Sequence, residues 1–388
     1  MITDYVYNAH VPATLPAARP TREPLAFHQR LPGYAPTPLI DAPALAARLG
    51  VGQVLIKNEA ERIGMPAYKI LGAAWATYHA LRERLNGDLP AWNTLEELAQ
   101  HMQPLQPLTL AAATDGNHGR AVARVARLLG LGAHIFVPTG TAAARIAAIA
   151  SEGAQVTVVD GTYDEAVARS AQEAGPHCAV ISDTAWEGYT DVPTRVIAGY
   201  STIFWEIEDE LARRAQPGPD LVLVQTGVGA LAAAVIGHYR RADRTGPVPR
   251  IVNIEPYNAA CVLASMKVGR IVEVPGPHNS VMAGLNCGLP SPVTWPLVSQ
   301  GIDLYIALDD AAALQAMRDL ATIAIVAGET GAVGMAGATD LLTGPDAVCW
   351  RELLGVTDQS RILLIVTEGA TDPANYARVV GWSAVPAS

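Results

Sequence analysis

The stretch Ala67-Tyr68-Lys69-Ile70-Leu71-Gly72 places a lysine at the start of a predicted helix. Apolar side chains recur at helical spacing after it, which predicts a helix with one covered face through Ile70, Ala73 and Thr77. A cation near the positive end of the helix dipole is mildly unfavourable, but this position suits an amine that must lose its charge and bond a carbonyl group. Lys69 is therefore a candidate nucleophile. A solvated surface lysine is the alternative that this stretch leaves open.

Composition restricts the class of protein. The chain has 388 residues, 50% of them hydrophobic, which is enough for two domains. A formal net charge of −10 argues against nucleic-acid and polybasic membrane partners. The sequence lacks both an apolar run of about 18 residues and a signal-peptide pattern, so we expect a cytoplasmic protein. The four cysteines lack metal-type spacing, so we expect reduced, packed thiols and no metal site.

Strand and helix patterns alternate regularly along much of the chain, which predicts parallel strands with helical crossovers. Residues 75–190, with a loop at 87–94, are predicted to form a small α/β domain. Residues 1–74 and 191–388 are predicted to form a large domain, because the strand near residue 54 and the strands after 220 are expected to share a second sheet. Residues 1–40 are rich in proline and are predicted to be irregular, wrapping around the body or meeting a partner subunit.

The turn Thr114-Asp115-Gly116-Asn117-His118-Gly119 directly follows one predicted strand and opens a helix. Backbone N–H groups at such a helix N-terminus bind anions, so this turn is a candidate site for a substrate carboxylate. Its candidate substrate-binding residues are Thr114, Asp115, Gly116 and His118. The alternative is a structural turn in which Asp115 caps the helix, which does not explain the asparagine and the histidine.

A second glycine turn, Gly227-Val228-Gly229-Ala230-Leu231, has the same position after the strand LVLVQ. Phosphate is the anion that we expect here. With Ala232, the turn also fits the dinucleotide pattern G-x-G-x-x-A, and Glu255 ends the next strand, where an acid that binds ribose would lie. An NAD-dependent oxidoreductase is therefore an alternative of another class, although many strand-to-helix turns show this pattern.

Two further strand ends carry polar side chains. Thr367 offers a hydroxyl that can hydrogen-bond a ring nitrogen of a cofactor, or it belongs to a polar turn. Asp183 is either a second base or the cap of a following turn. Both are at strand ends, where parallel sheets bind ligands. No H-E-x-x-H, G-x-S-x-G or phosphate-loop sequence occurs in the chain.

In this order, the helix lysine, the two turns and the C-terminal hydroxyl resemble the fold type II pyridoxal-phosphate enzymes, such as threonine dehydratases and tryptophan synthase β-chains. The motifs are more similar to those of diaminopropionate ammonia-lyases. The resemblance covers nearly the whole chain from about residue 34. It implies a two-domain α/β fold with parallel-type sheets flanked by helices, a pyridoxal phosphate cofactor and a homodimer. The matching motifs are TDGNHG at 114–119, DTAWEGY at 183–189, GLNCG at 284–288 and TEGATDP at 367–373.

The resemblance also implies a role for each position already singled out. Lys69 would hold the cofactor as a Schiff base, and Asn117 would hydrogen-bond the cofactor's phenolic oxygen. The turn from Gly227 to Leu231 would hold its phosphate. Thr367 would face the pyridine nitrogen, where a neutral hydroxyl does not enforce a protonated ring and so favours elimination.

The two acids of the family fall at Asp115 and Asp183. They imply activity on both enantiomers of the substrate, with Asp115 serving the D form and Asp183 the L form. A carboxylate at position 115, where most fold type II relatives have a small uncharged residue, suits a substrate with a second amino group.

The chain departs from the family around the lysine. Relatives usually show a Leu-Asn-Ala-Phe-Lys type of segment, but here Met65-Pro66-Ala67-Tyr68-Lys69 is followed by Ala73-Ala74. Pro66 removes a side-chain amide and a backbone N–H, so the substrate pocket is expected to differ. Family members can pair cysteines that match Cys261 and Cys287, a bond that a cytoplasmic location disfavours.

The sequence therefore predicts a lyase that eliminates ammonia from 2,3-diaminopropionate, D or L, to give pyruvate and ammonia. A β-replacement synthase and a dehydratase acting on serine or threonine are alternatives on the same scaffold. A non-catalytic cofactor-binding protein is disfavoured, because every expected catalytic position is filled.

Overall fold

The computed structural model describes residues 1–87 and 89–381. Asp88, in the predicted loop at 87–94, and residues 382–388, at the end of the predicted large domain, lie outside this description. The strands are β1 (Ile2–Tyr7), β2 (Leu39–Asp41), β3 (Gln53–Asn58), β4 (Thr109–Ala113), β5 (Gly132–Pro138), β6 (Gln155–Val159), β7 (Cys178–Val180), β8 (Leu221–Gln225), β9 (Arg250–Pro256), β10 (Leu304–Leu308) and β11 (Arg361–Val366).

The α-helices are α1 (Glu23–His28), α2 (Pro43–Leu49), α3 (Lys69–Arg84), α4 (Leu95–His101), α5 (Asn117–Leu128), α6 (Ala143–Ala150), α7 (Tyr163–Ala171), α8 (Asp191–Arg213), α9 (Ala230–Tyr239), α10 (Cys261–Val268), α11 (Trp295–Gly301), α12 (Asp310–Ala321), α13 (Val333–Thr343), α14 (Ala347–Leu354) and α15 (Pro373–Val380). Within the described part of the chain, none of them combines the length and the apolar composition that crossing a membrane requires.

The described residues form two sheets. The larger sheet has the strand order β1-β10-β9-β8-β11-β3-β2. Its inner strands are parallel, and only the edge strands β1 and β2 pair in the antiparallel direction. The central strands β8 and β11 are buried almost throughout, as expected for parallel strands covered on both faces. The strand near residue 54 thus shares a sheet with the strands after 220, which confirms that prediction.

The smaller sheet has the order β6-β5-β4-β7 and is parallel throughout. Helices α5, α6 and α7 connect its strands in the alternating pattern that the sequence predicts. All of its strands lie between residues 109 and 180. The domain limits at 74/75 and 190/191 remain a prediction.

The prediction that residues 1–40 are irregular was wrong. Strand β1 pairs with β10 at the edge of the larger sheet, with Tyr5 opposite Ile306, and α1 and part of β2 follow. The segment ITDYVY alternates side chains between two environments and is rich in β-branched and aromatic residues, which is a strand signal. The proline-rich sequence after it obscured that signal.

The first two turns of helix α3, which begins at Lys69, are covered on every side and not on one face as predicted. Each residue from Ile70 to Thr77 is buried, because the helix lies between α8 and α5. Its crossing with α8 depends on two glycines. A Cβ atom on Gly72 would lie 2.5 Å from Cε1 of Tyr200, and one on Gly199 would lie 2.6 Å from the carbonyl oxygen of Leu71. The two backbones therefore approach too closely for any side chain.

A buried ion cluster of Lys57, Glu59, Arg62 and Glu206 fixes the loop that leads to Lys69. The Arg62 guanidinium contacts Glu59 and Glu206 at 2.6 Å each, and the Lys57 amine contacts Glu206 at 2.6 Å. The cluster contains two positive and two negative groups. Charges that are fully buried must be paired in this way. The cluster joins β3 and the loop after it to α8.

Candidate active site

A buried cavity lies at the carboxyl ends of the strands of both sheets, where the sequence predicted the ligand site. Its walls come from the segments that follow β4, β7, β8 and β11, together with the start of α3. Parallel strands present their C-terminal ends at one edge of a sheet, so side chains far apart in sequence meet there. The predicted residues that line the cavity are Lys69, Asp115, Asn117, Asp183, Gly227, Val228, Gly229, Ala230, Leu231 and Thr367.

Lys69 is the first residue of α3, and its amine donates a hydrogen bond of 2.7 Å to Oδ2 of Asp183. Burial alone would lower the pKa of Lys69. The negative charge of Asp183 outweighs burial and raises that pKa well above its usual value. The solvated surface lysine that the sequence left open is therefore excluded, since 17% of the side chain is exposed and its amine is held by a buried partner.

Asp183 is held from three sides. Besides the Lys69 amine, its Oδ1 accepts a hydrogen bond of 2.9 Å from the hydroxyl of Tyr163, and Nδ1 of His118 lies 4.0 Å from Oδ2. Burial raises the pKa of Asp183, but the charge of Lys69 and the hydrogen bonds from Lys69 and Tyr163 hold it well below its ordinary value. Asp183 thus faces the lysine as an ionised carboxylate, and its oxygens accept from Lys69 and Tyr163 and not from the backbone of a turn.

His118 does not contact solvent. Its Nε2 lies 2.7 Å from the carbonyl oxygen of Ile181, and burial lowers the pKa of the ring. A neutral ring that donates from Nε2 leaves Nδ1 as an acceptor, and Nδ1 has no hydrogen-bond partner among the described residues. His118 lies 4.0 Å from Asp183 without a hydrogen bond to it and does not line the cavity, so its predicted substrate contact remains a prediction.

The turn before α5 is built by Thr114 and Gly116. The Thr114 hydroxyl oxygen accepts a hydrogen bond of 2.8 Å from the Gly116 N–H, and Gly116 has a φ of +151° that favours glycine. Gly116 is also the N-cap residue of α5, and the cap has no side-chain hydrogen bond, so the alternative in which Asp115 caps the helix was wrong. Burial raises the pKa of Asp115 to about 6, with Arg145 and Lys69 opposing the rise.

The second glycine turn forms a cradle at the N-terminus of α9. Gly229 has a φ of +101°, and a Cβ atom there would lie 2.6 Å from Oγ1 of Thr294. The N–H groups of the first helical turn have no acceptors within the helix, so they remain free for an anion. The hydroxyl of Thr226, just before the turn, is buried and has no partner among the described residues. The cradle therefore has the donors that a phosphate requires.

Thr367 and Asn117 lie on other parts of the wall. The Thr367 hydroxyl oxygen accepts a hydrogen bond of 3.0 Å from Nε2 of Gln225, so its own proton remains free to donate to a ring nitrogen. The side-chain amide of Asn117 donates to Glu368. The predicted contact of Asn117 with a phenolic oxygen of the cofactor remains a prediction, for which the amide has a second N–H donor.

Three side chains near the reaction centre were missed by the sequence interpretation. Tyr163 follows β6, Glu368 follows β11, and Gln225 ends β8. The rule that ligands bind at carboxyl ends of strands could have found all three, since each lies at or just after a strand end. Glu368 even lies inside the quoted motif TEGATDP.

The dinucleotide alternative is contradicted by the position of Glu255. This side chain is completely buried, and its carboxylate accepts the backbone N–H groups of Val262 and Leu263 at 2.7 and 2.8 Å. Burial raises the pKa of Glu255 to about 8. Because its oxygens are used at the start of α10, Glu255 has no free face for a ribose.

All four cysteines are free thiols. Cys287 lines the cavity, and Cys261 points at the carbonyl oxygen of Gly227 with an Sγ···O distance of 3.8 Å. Burial raises the pKa of both thiols well above the ordinary value, so neither is activated as a thiolate. Cys261 and Cys287 thus pack as small hydrophobic groups as predicted, whereas Cys349 is exposed, so that prediction was wrong for Cys349.

The fold and the lysine cavity define a class of protein, and comparison confirms it: the chain belongs to the family described as "Pyridoxal-phosphate dependent enzyme", which matches residues 30–349. It is 37% identical to diaminopropionate ammonia-lyase of Escherichia coli (strain K12), with 91% of this chain and 89% of the relative covered. Identity to the diaminopropionate ammonia-lyase of Salmonella typhimurium is 35%, with 92% and 91% covered. The crystal structure of the Escherichia coli enzyme in complex with D-serine matches with a TM-score of 0.88 at 34% identity, covering 97% of this chain and 96% of that one.

The cofactor of the protein is therefore pyridoxal phosphate, and the residues of the cavity fit it. Lys69 supplies the amine for covalent attachment. The cradle before α9 supplies N–H groups for the phosphate, with the Thr226 hydroxyl beside it, unpaired among the described residues. The Thr367 hydroxyl supplies a neutral partner for the ring nitrogen. These contacts are expectations from the donor set of the cavity.

Proposed function

We propose that this protein is an ammonia-lyase that converts 2,3-diaminopropionate, in the D and the L form, to pyruvate and ammonia. The observation that carries the proposal is the presence of two carboxylates, Asp115 and Asp183, in one buried cavity with Lys69. The similar relatives named diaminopropionate ammonia-lyase support the same substrate.

When bound, pyridoxal phosphate supplies an electron sink that makes the Cα proton of an attached amino acid acidic. The protein must then position a base on the correct side of Cα. Lys69 and Asp183 lie together, 2.7 Å apart, while Asp115 comes from the separate turn before α5. Two bases from different elements fit a substrate whose α-proton points in opposite directions in its two enantiomers.

The two acids differ in their protonation. Asp183 is held ionised by Lys69 and Tyr163, whereas burial gives Asp115 a pKa of about 6. Asp115 is therefore largely ionised at neutral pH and still basic enough to take a proton, which suits general base catalysis. We assign the D enantiomer to Asp115 and the L enantiomer to Asp183.

The substrate carboxylate is assigned to the first turn of α5. Its N–H groups, including those of Asn117 and His118, lack acceptors within the helix, and Asp115, just before this turn, lines the cavity. A second ammonium group on the β-carbon of the substrate is then attracted to the two carboxylates of the cavity. A hydroxyl in place of that ammonium would gain less from the same carboxylates.

A direct experiment separates this proposal from its alternatives. The purified holoenzyme is offered each enantiomer of 2,3-diaminopropionate and of serine, and pyruvate and ammonia are measured. We expect kcat/KM for diaminopropionate to exceed that for serine by at least tenfold. A preference for serine or threonine would favour a dehydratase, and a product that appears only after an added nucleophile would favour a β-replacement synthase.

We further propose that the chain acts as a homodimer in the cytoplasm. The acidic composition and the resemblance to fold type II enzymes support this. Analytical ultracentrifugation of the holoenzyme checks the oligomeric state, with an expected mass of twice 40.8 kDa.

A further inference from the structure

A second cavity of about 500 Å³ adjoins the reaction cavity, and we call it the vestibule. The two cavities share Asp115 and Tyr163 on their common wall. One side of the vestibule is formed by residues 138–145 and 161–163, which belong to the smaller sheet and its helices. The opposite side is formed by residues 277–281 together with Glu329, Asp372 and Asn375. A ligand at this common wall therefore lies next to Asp115.

Arg145 lines the vestibule as a buried cation, and its side chain makes no hydrogen bond to the described residues. The residue is 7% exposed, and its Nε has no hydrogen-bond partner in that part of the chain. Its guanidinium approaches Oε2 of Glu329 at 3.8 Å, which is too long for a hydrogen bond. Buried donors normally have partners, so the free donors of Arg145 indicate a missing acceptor.

The stem of Arg145 packs on the turn that is assigned to the substrate carboxylate. A Cβ atom on Gly116 would lie 3.1 Å from Cδ of Arg145, so no side chain separates the arginine from this turn. The arginine therefore lies beside the first turn of α5. An acceptor bound to Arg145 would lie close to the N–H groups of the first turn of α5.

The charges around Arg145 form a pattern of one cation among four anions. Glu368, Asp115, Glu329 and Asp372 all act on it and raise its pKa, in opposition to burial. Burial also raises the pKa of Glu329, whose Oε1 accepts a hydrogen bond from Asn375. A 2,3-diamino acid carries the opposite pattern, with one carboxylate and two amino groups.

We propose that the vestibule is a binding site for the incoming diamino acid, in which Arg145 holds the carboxylate while Glu329 and Asp115 attract the amino groups. This proposal rests on the proposed function and adds a site where the substrate is held before it reaches Lys69. The bound amino acid is released from Arg145 onto the adjacent first turn of α5. No covalent bond changes in this step.

The test is the steady-state kinetics of Arg145→Gln holoenzyme with D- and L-2,3-diaminopropionate. We expect kcat/KM to fall roughly 10- to 100-fold, the range for losing one hydrogen bond to a charged group, and kcat to stay within about threefold. Arg145→Lys, which keeps the charge, should recover part of the loss. Glu329→Gln should weaken binding of diaminopropionate more than binding of serine, because serine lacks the second amino group.

Arg120→Gln is the matched control, because it also removes one positive charge. Arg120 pairs with Glu152 at 3.4 Å and lines neither cavity. The control variant should keep kcat/KM within about twofold. Cofactor absorbance and the thermal unfolding midpoint establish that each variant is folded and loaded. If Arg145→Gln does not fold, the proposal is tested by comparing the kcat/KM values of Arg145→Lys and Glu329→Gln.

Three results would overturn the proposal. The first is that Arg145→Gln leaves kcat/KM unchanged. The second is that it lowers kcat and leaves KM unchanged. The third is that it shifts the pH dependence of kcat/KM and leaves the maximum value of kcat/KM unchanged. The last two would make Arg145 a positioning residue for Asp115, whose other charged neighbours are Lys69, Glu368 and Asp183.

Failure of the proposed function gives a different result, since the wild-type enzyme itself would not turn over diaminopropionate. In that case calorimetric titration of the holoenzyme with 2,3-diaminopropionate, which is not turned over, still measures binding in the vestibule. An unchanged dissociation constant in Arg145→Gln would then overturn the role of Arg145 in holding an amino-acid carboxylate.

Discussion

The amine of Lys69 and the carboxylate of Asp183 form an ion pair of 2.7 Å inside the cavity. Asp183 follows β7 of the smaller sheet, and Lys69 opens the helix that follows β3 of the larger sheet. The pair therefore joins the two sheets across the reaction centre. We expect the Asp183 carboxylate to become available to accept a proton when the Lys69 amine no longer pairs with it.

Lys69→Ala removes the amine that anchors the cofactor. We expect no measurable turnover, and no covalent attachment of pyridoxal phosphate, although the cradle before α9 still offers N–H groups to free cofactor. Borohydride reduction of the wild-type holoenzyme followed by peptide mapping should label the peptide that contains Lys69. Label on another lysine would contradict the assignment.

Gly229→Leu should abolish tight cofactor binding with the fold retained. Gly229 has a φ of +101°, and a Cβ atom there would lie 2.6 Å from Oγ1 of Thr294, so a side chain both strains the backbone and displaces the cradle. Gly237→Ala in the same helix is the control, because a Cβ atom there meets no atom within 4 Å. Equal cofactor content in both variants would place the phosphate site elsewhere.

Asp115→Asn and Asp183→Asn should affect the two enantiomers differently. A base serves only a proton within hydrogen-bond reach, so Asp115→Asn should lower kcat/KM for the D form by roughly 10²–10⁴ and that for the L form much less. Asp183→Asn should show the reverse. Steady-state kinetics of both variants on both enantiomers measure this. Equal losses on each enantiomer would mean that the acids act together in binding the second amino group.

Asp115→Asn should also stabilise the cofactor-free protein at pH 7. Burial raises the pKa of Asp115 from 3.8 to about 6, so between these values the folded protein keeps a proton that the unfolded chain has released. The free energy of unfolding therefore falls as the pH rises through this window, by at most about 3 kcal/mol. The neutral amide of the Asp115→Asn variant does not ionise, so the variant avoids this loss of stability.

Denaturant unfolding of wild type and Asp115→Asn at several pH values checks this prediction. The difference in unfolding free energy should be largest at pH 7 and should disappear below about pH 4. The exposed Asp243, with 82% of its side chain accessible, offers Asp243→Asn as a control without effect. A variant less stable than wild type at pH 7 would show that the Asp115 carboxylate stabilises the fold.

Motifs at strand ends were predictable because their position follows from the pattern of strands alone. Once the strand before Thr114 and the strand before Gly227 are recognised, each turn must lie at the carboxyl edge of a parallel sheet. The Lys69 helix was also found from spacing. The burial of its first two turns on all sides was not, because that depends on α8, which is distant in sequence and crosses at Gly199.

Other features depend on long-range contacts that no local pattern encodes. The carboxylate of Glu255 was placed correctly at the end of a strand, yet it faces the start of α10 and not the cavity. Strand β1 forms because its backbone can pair with the edge of β10, which lies far along the chain. Arg145 lies on an ordinary alanine-rich helix, and only the folded chain brings four carboxylates around it.

The ratio of ammonia to pyruvate formed from 2,3-diaminopropionate tests the central claim most directly. Elimination of the β-amino group followed by hydrolysis of the remaining enamine releases two molecules of ammonia for each pyruvate and consumes one water. The holoenzyme should show this ratio with both enantiomers and without an added nucleophile. A protein that binds pyridoxal phosphate at Lys69 but forms no pyruvate from either enantiomer would contradict the account.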